Sequence, residues 1–124
     1  MKEYGMERAN QDLRDRTEDY ALKIIRMFSA LPKTAVAQVL GRQVLRSGTS
    51  VGANYREASR SRSKAEFISK IGDCLKEIDE SEYWLRLLTK SGVVKPDQME
   101  NLLNETNQLI AIFTTIHKKA KEQQ

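Results

Sequence analysis

The sequence predicts an all-α fold, an antiparallel up-down-up-down four-helix bundle, on three observations. Apolar residues recur every three or four positions along most of the chain, and no strand-like alternation competes. The only two prolines, Pro32 and Pro96, stand where such patterns stop or start. The patterned segments are roughly 20 to 28 residues long and joined by short connections, which favours antiparallel packing of neighbours. The 124 residues are read as one domain, 1–124, large enough to bury a core without disulfides or metals.

Residues 1–11 carry no apolar stripe and read as an N-terminal extension. The first helix is expected over about 12–30, where Leu13, Thr17, Tyr20, Ile24, Phe28 and Leu31 recur and Leu31-Pro32 ends the pattern. Thr34 is a candidate N-cap for a second helix to about Arg60, with Ala37, Leu40, Val44, Gly48, Val51, Tyr55 and Ala58 inside. Ser63 and Glu66 form a capping box, Ser-x-x-Glu, opening a third helix over about 64–91. Its stripe of Phe67, Ile71, Cys74, Ile78, Ser81, Leu85 and Leu88 alternates steps of four and three, the a/d seam of a bundle. Ser91-Gly92 ends it. Pro96 suits the first turn of a fourth helix to about 121, with Met99, Leu102, Thr106, Leu109, Phe113, Ile116 and Ala120 inside.

The segment 41–64, GRQVLRSGTSVGANYREASRSRSK, holds the main packing signal and the main binding signal. Gly41, Gly48 and Gly52 fall inside a helical pattern, where each costs about 1 kcal/mol relative to alanine. Close approach of a neighbouring helix is the expected compensation. If helices 2 and 3 turn about near Ser61 and Arg62, Gly52 faces Ile71, Gly48 faces Leu75, Arg46 lies across from Glu77, and Arg42 lies near Glu80 and Glu82.

The same segment carries six basic side chains (Arg42, Arg46, Arg56, Arg60, Arg62, Lys64) and one acid, Glu57, a local +5 against +4 for the whole chain. Residues 73–82, DCLKEIDESE, hold five acids and one lysine. Three readings of the arginines follow: a solvated or internally paired surface, contact with nucleic-acid phosphates, or a protein interface. Arginine suits phosphate through its planar fork of donors. The absence of interleaved aromatic residues points to backbone or shape recognition. In an up-down bundle the ends of helices 2 and 4 and the start of helix 3 share one end, gathering Arg56, Arg60, Arg62, Lys64, Lys118, Lys119 and Lys121. Tyr83-Trp84 is either packed at the bundle edge or an anchor for another subunit. Basic and acidic helices on one subunit could also meet their opposites on other copies and close a ring.

Other chemistry finds little support. Cys74 is alone and on a seam, where a buried inert thiol is expected, and the single histidine, His117, lies among lysines near the end of helix 4. No nucleophile and base can be paired, no Glu-x-x-His motif offers metal ligands, and no cofactor motif occurs. The chain is expected not to be an enzyme. It has no apolar run long enough for a membrane span, and its mean hydropathy is −0.59. The opening residues lack the apolar core of a signal peptide, so a reducing, cytoplasmic setting is expected.

From Leu31 to Leu88 the chain resembles the bacterial four-helix-bundle family named after proteins encoded in intervening sequences of 23S ribosomal RNA genes. The resemblance is carried by LPK at Leu31–Lys33, RQVLRSGTSVGANYREA at Arg42–Ala58, AEFISKIG at Ala65–Gly72 and KEIDESEYWLRLL at Lys76–Leu88. That family includes accessory proteins of diversity-generating retroelements. The resemblance implies a non-enzymatic, ring-shaped homo-oligomer, a homopentamer, with a basic surface that binds RNA or DNA and with a reverse transcriptase or another protein as partner. Arg42, Arg46, Arg56 and Arg60 lie in the matching block and are the candidates it carries over. The alternative is a protein-interaction scaffold without nucleic-acid binding, its arginines used in ion pairs within and between subunits.

Overall fold

The second and third helices start at side-chain oxygens that answer backbone N–H groups with no partner in the first turn, and the fourth starts at a proline that has no N–H to satisfy. Thr34 Oγ1 accepts from the Ala37 N–H at 3.3 Å. Ser63 Oγ accepts from Glu66 N–H at 3.0 Å while Glu66 Oε2 accepts from Arg62 N–H at 3.2 Å. Pro96 opens the last helix without a side-chain cap. The computed structural model describes residues 2–123, with side chains from residue 8 onward. It consists of α1 (Lys2–Ser29), α2 (Ala35–Ser59), α3 (Lys64–Lys90) and α4 (Pro96–Glu122), with no strand among the described residues. After α3, Gly92 takes φ +82°, a conformation that side-chain-bearing residues rarely adopt, and lets Val93 and Val94 N–H return to the Leu88 carbonyl at 3.1 Å. Among the described residues no helix is long and apolar enough to cross a membrane.

The first helix extends ten residues beyond its expected start at about 12, through the stretch read as an extension. Those turns carry no apolar stripe in the sequence, and hydrophobic periodicity reports burial, not helicity. They still reach the end of α2, where the Tyr55 hydroxyl donates to Asn10 Oδ1 at 2.8 Å.

α2 lies between α1 and α3 and gives each a different flank. Along α2, contacts with α3 run in reverse order: Arg46 meets Glu77 and Glu80, Ser47 meets Ser81, the Val51 carbonyl meets Cys74, and Glu57 meets Lys70. On the other flank a Cβ at Gly41 would fall 2.5 Å from Leu31, one at Gly48 2.8 Å from Ile24, and one at Gly52 3.3 Å from Thr17. The bare positions therefore receive α1, not Ile71 and Leu75 of α3 as the turn-based register suggested. The reason is rotational: residues 41, 48 and 52 share one flank of α2, and 44, 47 and 51 the other.

Between α3 and α4, Gly72 approaches His117. Between α1 and α4, Arg16 Nε and Nη2 donate to the two Glu105 carboxylate oxygens at 2.8 Å each, and Nη2 also to Gln108 Oε1 at 2.7 Å. The core includes Tyr20, Ile24, Val44, Val51, Ile71, Ile78, Leu85, Leu88, Met99, Leu109 and Phe113, all fully buried.

Through its middle runs one polar layer. Tyr20, Ser47, Ser81 and Thr106, one from each helix, are 0% exposed. Thr106 donates to the Leu102 carbonyl at 2.7 Å, so Tyr20 is the donor in the 2.7 Å bond between their oxygens. Ser81 Oγ stands 2.8 Å from Ser47 Oγ. No buried side-chain polar atom among the described residues lacks a partner, as burial of such groups demands.

Two outcomes follow from this packing. Gly48→Ala should lower stability by about 1–2 kcal/mol net, because overpacking against Ile24 outweighs the better helix propensity of alanine, whereas Gly72→Ala, whose Cβ would stand 3.6 Å from His117, should raise it by about 1 kcal/mol. Urea midpoints of the two variants check both signs. Burial also pushes Tyr20, Tyr55 and Cys74 up to about 12 from ordinary values of 10.0 for tyrosine and 9.0 for the thiol. The unfolded chain releases these protons first, so the stability they contribute is whole below about pH 9 and is lost as pH rises toward 12. Urea melts across that range measure the loss, and Cys74→Ala should flatten its onset.

Candidate nucleic-acid interface

With its glycines turned to α1 and Ser47 and Val51 turned to α3, α2 has one side left for solvent. Arg42, Arg46, Thr49, Ala53, Arg56 and Arg60 follow it in steps of four and three, about 27 Å from end to end at 1.5 Å per residue. All are exposed except Thr49, which is half-buried. The stripe is chemically divided. Arg46 Nη1 donates to Glu77 Oε2 at 3.0 Å and Nη2 to Glu80 Oε2 at 2.7 Å, so its charge is answered within the subunit.

The acids expected near Arg42 are engaged elsewhere: Glu80 holds Arg46, and Glu82 lies 3.6 Å from Arg86 on its own helix. Neither is in an ion pair with Arg42. Arg42, Arg56 and Arg60 make no ion pair among the described residues.

The connection from α2 to α3 adds Arg62 and Lys64. Arg62 contributes its backbone N–H to Glu66, leaving its exposed guanidinium out of the cap. Lys64 Nζ donates to Gln123 Oε1 at 3.1 Å. That bond brings the end of α4 beside the start of α3, and with it Lys118, Lys119 and Lys121. None of these four lysines is in an ion pair among the described residues. The nearest acid of α2, Glu57, is held by Lys70 at 2.8 Å.

Arg14 was not singled out by the sequence. It lines a groove between α1 and α2 together with Arg56, above Gly52 and Ala53, with Asp15 and Glu18 also on its rim. The signal for it is the α1–α2 register, legible only once the glycine flank is assigned.

Among the described residues, the aromatic rings near this end point inward. Tyr55 and Phe113 stack at 5.9 Å between centroids, tilted by 58°, and offer no platform to a base. The other aromatic pair lies away from the arginine stripe. Trp84 is half-buried and packed on the core, whereas Tyr83 is 55% exposed, their rings edge-on at 5.0 Å. Cys74 is fully buried with its thiol 3.7 Å from the Val51 carbonyl. His117 is half-buried on α4. Among the described residues no cluster of His, Cys, Asp and Glu is arranged to hold a metal ion.

Comparison with known proteins gives a consistent picture. Residues 9–115 match the family model described as 23S rRNA-intervening sequence protein. Among solved structures, the chain is similar to a crystal structure from Bacteroides thetaiotaomicron of a protein with unknown function from the S23 ribosomal protein family. The two are 35% identical, the TM-score is 0.82, and the similarity covers 88% of this chain and 97% of the other. No curated protein matches the chain.

The division of the stripe is measurable. Arg46→Ala should cost about 0.5–1 kcal/mol, as expected for a partly exposed cross-helix pair, and double-mutant cycles with Glu77→Gln and with Glu80→Gln should each recover part of it as coupling. Arg60→Ala should leave the unfolding midpoint unchanged.

Proposed function

The chain belongs to the family of 23S rRNA-intervening sequence proteins, and from that premise we propose that it is a non-enzymatic, self-assembling helical bundle whose basic end holds the phosphates of structured RNA or DNA. In this reading the helices alternate up and down, copies assemble as a ring, a homopentamer by family resemblance, and the assembly serves as a cytoplasmic accessory or scaffold beside a protein partner such as a reverse transcriptase.

The observation that carries the reading is the Lys64–Gln123 bond. It joins two helix ends and brings cations from three elements to one end of the bundle, none of them in an ion pair among the described residues. Free guanidinium and ammonium groups, with no stacking platform beside them among the described residues, suit the backbone of a structured nucleic acid, not its bases. A non-catalytic role agrees with a cysteine whose thiol is pushed up to about 12 by burial, where little thiolate forms. The scaffold alternative draws on one observation, the internal pairing of Arg46.

Salt dependence separates the two. The logarithm of the affinity for a generic duplex should fall linearly with the logarithm of salt concentration. Changing Arg60, Arg62 and Lys64 together to glutamine should reduce that slope by about two to three without lowering the thermal midpoint. Failure of the wild-type chain to bind at low salt would leave the scaffold reading.

A further inference from the structure

Three of the exposed large apolar side chains, Leu22, Ile25 and Tyr83, stand on α1 and α3. Each of these helices is flanked by α2 and α4, so the two occupy opposite corners. The outward stripe of α1 holds Asp15, Glu18, Leu22 and Ile25. That of α3 holds Lys76, Asp79, Tyr83 and Arg86. All are exposed, and both stripes advance by three, four and three residues.

The two stripes also stand level. Tyr20 and Ser81 belong to the same hydroxyl layer, and α1 and α3 run in the same direction, so a residue of α1 is level with the residue of α3 numbered 61 higher (81 less 20). Leu22 is thus level with Tyr83, Asp15 with Lys76, and Ile25 with Arg86. A ring whose rotation axis runs parallel to the helices joins points of equal height on two faces of a subunit. Charge agrees: the α1 stripe carries two acids and no base, the α3 stripe two bases and one acid.

We infer that the outer face of α1 docks side by side and in register on the outer face of α3 in a second copy of this chain, Leu22 against Tyr83 of the partner subunit and Asp15 against Lys76 of the partner subunit. The inference rests on the self-assembly proposed above. Ile25 covers the aliphatic stem of the arginine level with it. Glu18 and Asp79 are the one like-charged level. The arginine stripe of α2, on a third corner, stays uncovered in such an assembly.

The test uses the full chain carrying Leu22→Cys and Tyr83→Cys together. The buried Cys74 does not compete for oxidation. Mild oxidation should give a disulfide-linked ladder on a non-reducing gel, since a disulfide needs the two Cβ atoms about 3.5–4.5 Å apart, and either single variant alone should give no linked dimer. By light scattering on dilution, Leu22→Asp should weaken assembly about tenfold or more with the helical circular dichroism intact. Asp79→Lys, which turns the like-charged level into a pair, should strengthen it. A wild-type chain that stays monomeric overturns self-assembly and this inference together. An assembled wild type overturns the inference alone if the double variant gives no ladder, if a single variant links to itself, or if Leu22→Asp assembles undiminished.

Discussion

The close approach of α1 to the bare backbone of α2 is the constraint on which the remaining geometry depends. At Gly48 the space a Cβ would need is occupied by the Ile24 side chain, so the two helices meet nearer than side chains on both would permit. This fixes α2 against translation and against rotation about its own axis. Rotation is the more consequential of the two. With residues 41, 48 and 52 committed to α1 and residues 44, 47 and 51 committed to the core and α3, only one side of α2 remains for solvent. Arg42, Arg46, Arg56 and Arg60 occupy that side. The direction of the arginines is thus a consequence of where the glycines are, and the cost of glycine in a helix, about 1 kcal/mol each, is offset by contact that no larger residue could make.

The hydroxyl layer constrains the other degree of freedom, sliding along the axis. An apolar seam with steps of three and four looks much the same after a shift of one heptad. Tyr20, Ser47, Ser81 and Thr106 do not: a helix displaced by two turns would strand its hydroxyl among methyl groups, at a cost of about 1–3 kcal/mol. One layer of this kind, touching all four helices, is enough to hold them in a single register. It also makes levels comparable between helices at opposite corners, and for that reason the outward stripes of α1 and α3 can be aligned at all.

Much of the fold was legible in the sequence, and the illegible parts share a cause. Thr34 and Ser63 cap as read, and the α3 seam from Phe67 through Leu88 is inside, because caps and apolar spacing are properties of a single element. The Arg46–Glu77 pair was legible as well, by counting back from a tight turn. The flank to which the glycines turn was not, since a helix with two neighbours shows one merged stripe and not two. Ser47 was missed for the same reason: it is buried on the α3 flank but polar, and polar residues do not register in a hydrophobic pattern. Arg16 with Glu105 joins positions 89 apart in sequence, with no turn to count from. The early start of α1 escaped because residues 2–11 show no apolar periodicity in the sequence. Of the candidate site, the residue types and their clustering at one end were readable, but which arginine is free was a question of partners.

Part of the basic end can be explained by the fold alone. Arg56 lies in the last turn of α2, and Lys119 and Lys121 in the last turn of α4, where the helix dipole presents partial negative charge and cations are favoured. Arg62 and Lys64 admit no such account. They flank Ser63 at the start of α3, where the dipole presents partial positive charge and a cation is disfavoured, an effect of roughly 0.3–1 kcal/mol for a charge within the first turn. A surface shaped only by stability would place acids there, as Glu66 illustrates by serving the cap. Two cations set against the local field, beside others collected from α2 and α4, are what the proposed phosphate contact would use: a phosphate backbone laid across that end would answer both the dipole and the side chains.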